Sequence, residues 1–151
     1  MPVLGKKTVR AWNRLQRAHA RLTAAVEESL KAAGLPPLGW HPLLAELERG
    51  PPEGMRPFEL EEASGEAQYN ISRQIDRMTR AGLVRRAPCV DDRRGWRIVL
   101  TDDGRAMRAR MWDVCSATLL ENFVDRLGDK RIKALDGILG DLVRREPRVR
   151  G

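Results

Sequence analysis

Residues 67–103 constrain the fold more than any other stretch, because a helix-period stripe gives way within two residues to a pair of strand-length apolar runs. Ile71, Ile75 and Met78 fall at i, i+4 and i+7, the buried face of a helix over residues 67–81, and Gly82 stops it. Upstream, Pro57 suits the first position of a short helix, PFELEEASG, that ends near Gly65. Two short helices with a tight connection form a helix-turn-helix. Downstream, residues 84–88 and 97–100 read as the strands of a hairpin whose tip stacks arginine against aspartate. This order of elements is that of a winged helix, in which the second helix enters the major groove and the hairpin touches flanking DNA.

The flanks are helical. Trp12, Leu15, His19, Leu22, Val26 and Leu30 recur every three or four residues, which predicts a helix over residues 8–33 closed by Gly34 and barred from continuing by Pro36 and Pro37. A second helix is expected over residues 38–49, with Pro42 tolerated because it lies near the first turn. Thr101 is the expected N-cap of a long helix carrying Met107, Met111, Cys115, Leu119 and Phe123, and Asp102 and Asp103 complement its dipole. A last helix over residues 129–145 carries Ile132, Leu135, Leu139 and Leu142 on one face. Stripes this apolar call for a partner helix, and the first and last helices are expected to find it in a second copy of the chain.

Composition narrows the function. The net charge is +7, and between Arg73 and Arg97 eight arginines stand against three aspartates, so a local +5 falls in one sixth of the 151 residues. Arginine's planar fork suits phosphate oxygens and guanine edges, so the expected partner is nucleic acid and not a membrane surface. No stretch approaches the roughly 18 apolar residues of a membrane span, and the basic N-terminus has no apolar segment behind it, so a cytoplasmic protein is expected. The two cysteines and two histidines, at 89, 115, 19 and 41, have no metal-ligand spacing, and no nucleophile elbow, phosphate loop or dinucleotide fingerprint occurs. The expectation is no metal, no cofactor and no enzyme activity.

Three motifs taken in order, ISRQIDRMTRAGLVRR, DDRRG and VLTDDG, resemble the MarR family of bacterial winged-helix repressors, and the weaker likeness covers nearly the whole chain, including AAGLPPLGWHPLLAELE. GEAQYN replaces the serine-rich start common on the family's recognition helix, so no operator sequence is carried over. The resemblance implies an α+β, mostly α chain of one domain, 1–151, with a DNA-binding lobe at 38–100 and dimerisation helices at 8–33 and 101–145. It implies a homodimer that binds a pseudo-palindromic operator in double-stranded DNA and is released by a small phenolic or carboxylic effector. Two other readings stay open on the residues alone: a small-molecule binding protein without specific DNA recognition, and a nonspecific architectural DNA binder.

Within the recognition helix, the inward stripe leaves Gln68, Asn70, Arg73, Gln74 and Arg77 facing out. Gln68, Tyr69, Asn70 and Arg73, nearest the N-terminus, form the expected base-reading set, with Ser72 part of the family motif and Arg77 on phosphate. The alternative for Arg73 and Arg77 is pairing with Asp76, Glu62 or Glu66. At the hairpin tip Arg94 is the candidate for the minor groove, Asp92 holds its guanidinium, and Arg93 and Arg97 meet phosphates. The effector candidates are Trp12, His19, Trp40, His41 and Trp112, each of which suits a core position as well. Cys115 is expected buried and inert on its apolar stripe. Cys89 is expected to be structural as well, with redox sensing beside the wing's arginines the lesser alternative.

Overall fold

Helix α1 (Lys6–Ala32) is 27 residues long, and it ends as its sequence predicts: Gly34 turns left-handed at φ 69°, and the Leu35 N–H reaches back to the Leu30 carbonyl at 2.9 Å. The computed structural model describes residues 1–65, 68–89 and 95–144, and of Gln68 and Tyr69 the backbone alone. Glu27, on the last turns of α1, accepts the Leu38 N–H at 3.1 Å and so sets the approach to α2 (Trp40–Arg49). Pro42 is the third residue of α2, within the turn whose N–H groups have no intrahelical partner.

Helices α3 (Pro57–Ser64) and α4 (Gln68–Arg80) form the helix-turn-helix, with Gly65 left-handed at φ 73° between them. Strands β1 (Val84–Pro88) and β2 (Trp96–Leu100) pair antiparallel, Val84 opposite Leu100 and Pro88 opposite Trp96. A third short stretch joins them unannounced by the sequence. Met55 exchanges both backbone hydrogen bonds with Ile98, at 3.0 and 2.7 Å, which anchors the α2–α3 connection to the hairpin's base.

Helix α5 (Asp102–Leu119) starts on Thr101, whose hydroxyl accepts the Gly104 N–H at 3.0 Å and donates to the Gly82 carbonyl at 2.7 Å. One side chain thus caps α5 and ties it to the turn that enters the hairpin. Gly104 is required for the same closeness: a Cβ there would stand 2.0 Å from the Leu83 carbonyl oxygen. Beyond α5 the chain makes one π turn, Leu120–Val124, and continues as α6 (Asp125–Val143), broken at Gly128, where φ is 73° and ψ 161°. The expected start of the last helix at residue 129 coincides with that break.

The core gathers Val26 and Leu30 of α1, Leu43, Leu44 and Leu47 of α2, Leu60 of α3, Ile71, Ile75 and Met78 of α4, Leu83, Val84 and Ile98 of the hairpin, and Met111 and Cys115 of α5. The first half of α1 and all of α6 lie outside it. No described helix is long and apolar enough to cross a membrane.

Candidate nucleic-acid interface

Three buried side chains fix the roll of α4. With Ile71, Ile75 and Met78 nearly inaccessible, Asn70, Ser72, Arg73, Asp76, Arg77 and Arg80 are exposed. Asp76, the one acid on this helix, pairs with Arg86 of β1. The pair locks the recognition helix to the first strand of the wing and neutralises the only carboxylate on α4. Gln74 departs from expectation: it is half-buried, with its Oε1 enclosed and unpartnered, because its position on the wheel turns it toward the entry of α2 beside Gly39. The backbone places Gln68 and Tyr69 on the first turn of α4.

The wing splits into a base and a tip. At the base, Arg97 is half-buried and donates from Nη1 to the Gly54 carbonyl at 3.1 Å, so its first role is to pin β2 to the α2–α3 connection, with one of its five N–H groups committed. Asp92, Arg93 and Arg94, assigned to the tip, lie outside the described residues. Trp96, missed by the sequence reading, is 55% exposed at the tip-ward end of the paired strands, opposite Pro88, and walls a small cavity of about 180 Å³ with Ser72, Ile75 and Arg86. Its signal was a tryptophan directly after the turn glycine, where a strand presents a side chain outward.

The effector candidates separate into two groups. His41 and Trp112 stack across the α2–α5 contact, ring centroids 5.6 Å apart and 24° from parallel. With Ala45, Glu48, Arg49 and Arg108 they line an open cleft of about 350 Å³. Glu48 pairs with Arg108 and, at 3.4 Å, with Arg105, and Arg49 pairs with Glu46, so the cleft has an aromatic wall and a rim of paired charges. The His41 Nε2 is enclosed without a partner, and burial, followed by the nearby Arg108, holds its pKa below the ordinary imidazole value. Trp12 and His19 are not part of this cleft: both are exposed on the first half of α1. Trp40 packs half-buried against the core with its indole N–H enclosed and unpartnered.

The cysteines are both buried. For Cys89 burial fits a structural role and not an exposed redox thiol: it closes the end of β1, its N–H on the Gly95 carbonyl at 3.1 Å, and its side chain points inward. Cys115 is buried as expected, and burial, with Glu27 adding to it, pushes its thiol pKa up, which disfavours the reactive thiolate. No group of three metal-ligating side chains occurs among the described residues.

Residues 33–95 match the model of the MarR family. The fold superposes on AbsC, a MarR family transcriptional regulator from Streptomyces coelicolor, with 29% identity, a TM-score of 0.82, and coverage of 94% of this chain and 95% of that one. A second MarR family regulator from the same organism, solved in complex with DNA, gives a TM-score of 0.86 at 24% identity over 94% of this chain and 89% of that one. BpsR of Bordetella bronchiseptica, whose DNA binding is regulated by 6-hydroxynicotinic acid, gives 0.81 at 20% identity over 97% and 100%. The last two speak to the fold alone.

Proposed function

We infer that the chain is a MarR-family regulator of transcription that binds double-stranded DNA as a homodimer through α4 and its wing. The observation that carries this reading is the outer face of α4, where Asn70, Arg73, Arg77 and Arg80 are exposed and the single acid is engaged by Arg86. Residues 38–100 act as the DNA-binding lobe of a single domain, and 8–33 and 101–145 as its dimerisation helices. Gln68, Tyr69, Asn70 and Arg73 read bases, Ser72 and Arg77 hold the backbone, and Arg97 braces the wing against the turn at Gly54 while its remaining donors face phosphate. Dimer symmetry sets two recognition helices about 34 Å apart, one turn of DNA, over a pseudo-palindromic site.

The regulation is repression in the cytoplasm, relieved by an aromatic carboxylate or phenol in the cleft of His41 and Trp112. The stacked rings accept an aromatic plate, and Arg108 and Arg49, paired in the free chain with Glu48 and Glu46, offer its anion a counter-charge once it displaces a carboxylate. The ligand acts by favouring a dimer whose recognition helices are wrongly spaced, which requires that it bind that state more tightly than the DNA-binding one.

The wing supplies the test. With Arg94 in the minor groove and Asp92 orienting it, Arg94→Ala weakens binding to every sequence, most where the flanks are A·T-rich, and flattens the plot of log affinity against log salt by about 0.9 for each phosphate no longer neutralised. Asp92→Asn discriminates between accounts. It removes a negative charge, so simple electrostatics raises affinity, whereas loss of an orienting carboxylate lowers it; a rise in affinity at physiological salt refutes the assigned roles.

A further inference from the structure

The recognition lobe does not hold all of the cationic surface. Helix α1 carries Lys6, Lys7, Arg10, Arg14, Arg17 and Arg21, and no acid occurs in the first 26 residues, whereas nine acids fall between Glu27 and Glu66. At 3.6 residues per turn the six cations occupy an arc of about 100°, and the apolar stripe from Trp12 to Leu30 centres about 150° away. All six are exposed, and among the described residues none makes an ion pair or side-chain hydrogen bond. Arg10, Arg14 and Arg17 also wall an open groove of about 460 Å³ with Leu4 and Val9.

This column exists against two local costs. Lys6 and Arg10, Arg10 and Arg14, and Arg17 and Arg21 are like-charge pairs at i,i+4, where an ordinary solvated helix places opposite signs. Lys6 and Lys7 also sit at the positive end of the helix dipole, with no acid in the first turn. A polyanion removes both costs at once. From Lys6 to Arg21 the column is about 22 Å long. One DNA strand carries a phosphate every ~3.4 Å of axis, so the column spans about six phosphates.

We propose that the outer face of α1 is a second DNA-binding surface, which grips the phosphate backbone of a duplex other than the one α4 reads. The separation follows from the packing: α1 lies on α5, whereas α4 lies on α3 and β1. The column stands on the half of α1 that projects beyond the core, Arg14 being about 18 Å along the helix from Val26. Because the cations oppose the apolar stripe, a second copy of the chain seated on Trp12 and Leu15 leaves them in solvent. An interfacial helix must lay its apolar face into the membrane, whereas the apolar stripe of α1 runs on into the core at Val26 and Leu30 and is the face a second copy covers, which favours a polyanion that needs no insertion.

The full-length dimer is titrated with a short, labelled duplex of random sequence at low salt, and the number of duplexes held per dimer is read by sedimentation. Three proteins are compared: the parent, Arg10→Gln/Arg14→Gln/Arg17→Gln on α1, and Arg73→Gln/Arg77→Gln on α4. Glutamine is a good helix former, so these exposed changes leave the fold intact, which circular dichroism checks. The parent holds more than one duplex per dimer. The α1 variant loses the further duplex by about tenfold or more in affinity and keeps the first, with a flatter salt dependence. The α4 variant does the reverse; if it leaves the first duplex untouched, the reading of α4 fails while the α1 surface stands. Saturation of the parent at one duplex, or further capture that the α1 variant leaves unchanged, overturns the proposal. So does binding to anionic phosphatidylserine vesicles, abolished in the same variant, without capture of a second duplex.

Discussion

Leu43, Leu44, Leu60, Met78 and Met111 are 0% exposed within one chain, whereas Trp12 is 58%, Ile138 61% and Leu142 68% exposed, although both groups belong to equally regular amphipathic stripes. The lobe of α2 to β2 closes its core within the chain, together with Val26 and Leu30 at the end of α1 and Met111 and Cys115 of α5. Among the described residues the first half of α1 and all of α6 bury no side chain, and an apolar face of that extent on two helices near opposite ends of the chain is of the kind that mediates association. Periodicity therefore identifies which face of a helix is buried, and says nothing about whether the covering surface comes from the same chain. Leu30 and Trp12 belong to one stripe of one helix, and only the first is inside the core.

The largest effect that probes this difference is on the exposed stripes. Ile138→Glu or Leu142→Glu adds a charge where nothing in the single chain is disturbed, so the lobe stays folded and the dimer separates. Because two linked half-sites become one, DNA affinity falls by about 100-fold or more, and sedimentation finds a monomer with helical content retained. A dimer of unchanged stability erases the contrast between the two regions.

A medium effect tests the joint between them. Thr101 and Gly104 hold the start of α5 against Gly82 and Leu83, the turn between recognition helix and wing. Thr101→Ala removes a cap and a bond across the joint and costs about 1–2 kcal/mol. Gly104→Ala forces the Leu83 carbonyl away and costs about 1–3 kcal/mol by overpacking. Denaturant midpoints measure both; a neutral Gly104→Ala means that the helix does not press on the strand as closely as the backbone indicates.

Those two residues also mark what the sequence makes legible. Thr101 is readable as an N-cap because hydroxyl, acids and apolar run follow one another locally, and the same locality exposes the helix-turn-helix, the strands and the Gly34 stop. The Met55–Ile98 bridge joins residues 43 positions apart through backbone atoms, which no side-chain pattern announces. The site is legible to the same degree. Ile71, Ile75 and Met78 fix the outward face of α4, but Gln74 sits at the edge of the buried arc, where contact with α2 decides its exposure. Arg97 looks like a phosphate ligand by its place in a basic run, and a carbonyl contributed by residue 54 gives it a structural bond. The cation column on α1 is in plain view, hidden only because the richer run of arginines in the wing accounts for the charge.

The smallest expected effect lies at the seam of lobe and flanking helices, where His41 stacks on Trp112. Burial comes first and Arg108 second in lowering the His41 pKa, with Glu48 opposing them, so the folded protein holds the ring neutral at pH values where the unfolded chain has begun to protonate it. In that window the unfolded state binds more protons than the native one, and stability rises with pH. The contribution is therefore complete above about 6.5, the imidazole's unfolded value, and is lost as pH falls from there through the depressed folded value. His41→Phe keeps an aromatic ring against Trp112 and removes the titration. The difference in melting temperature between parent and variant, which cancels His19 and the carboxylates common to both, shifts in the variant's favour as the pH is lowered from 8 toward 5. A difference that stays constant across that range means that His41 protonates as freely in the fold as out of it, and the seam then belongs with the solvent-exposed half of the molecule and not with its closed core.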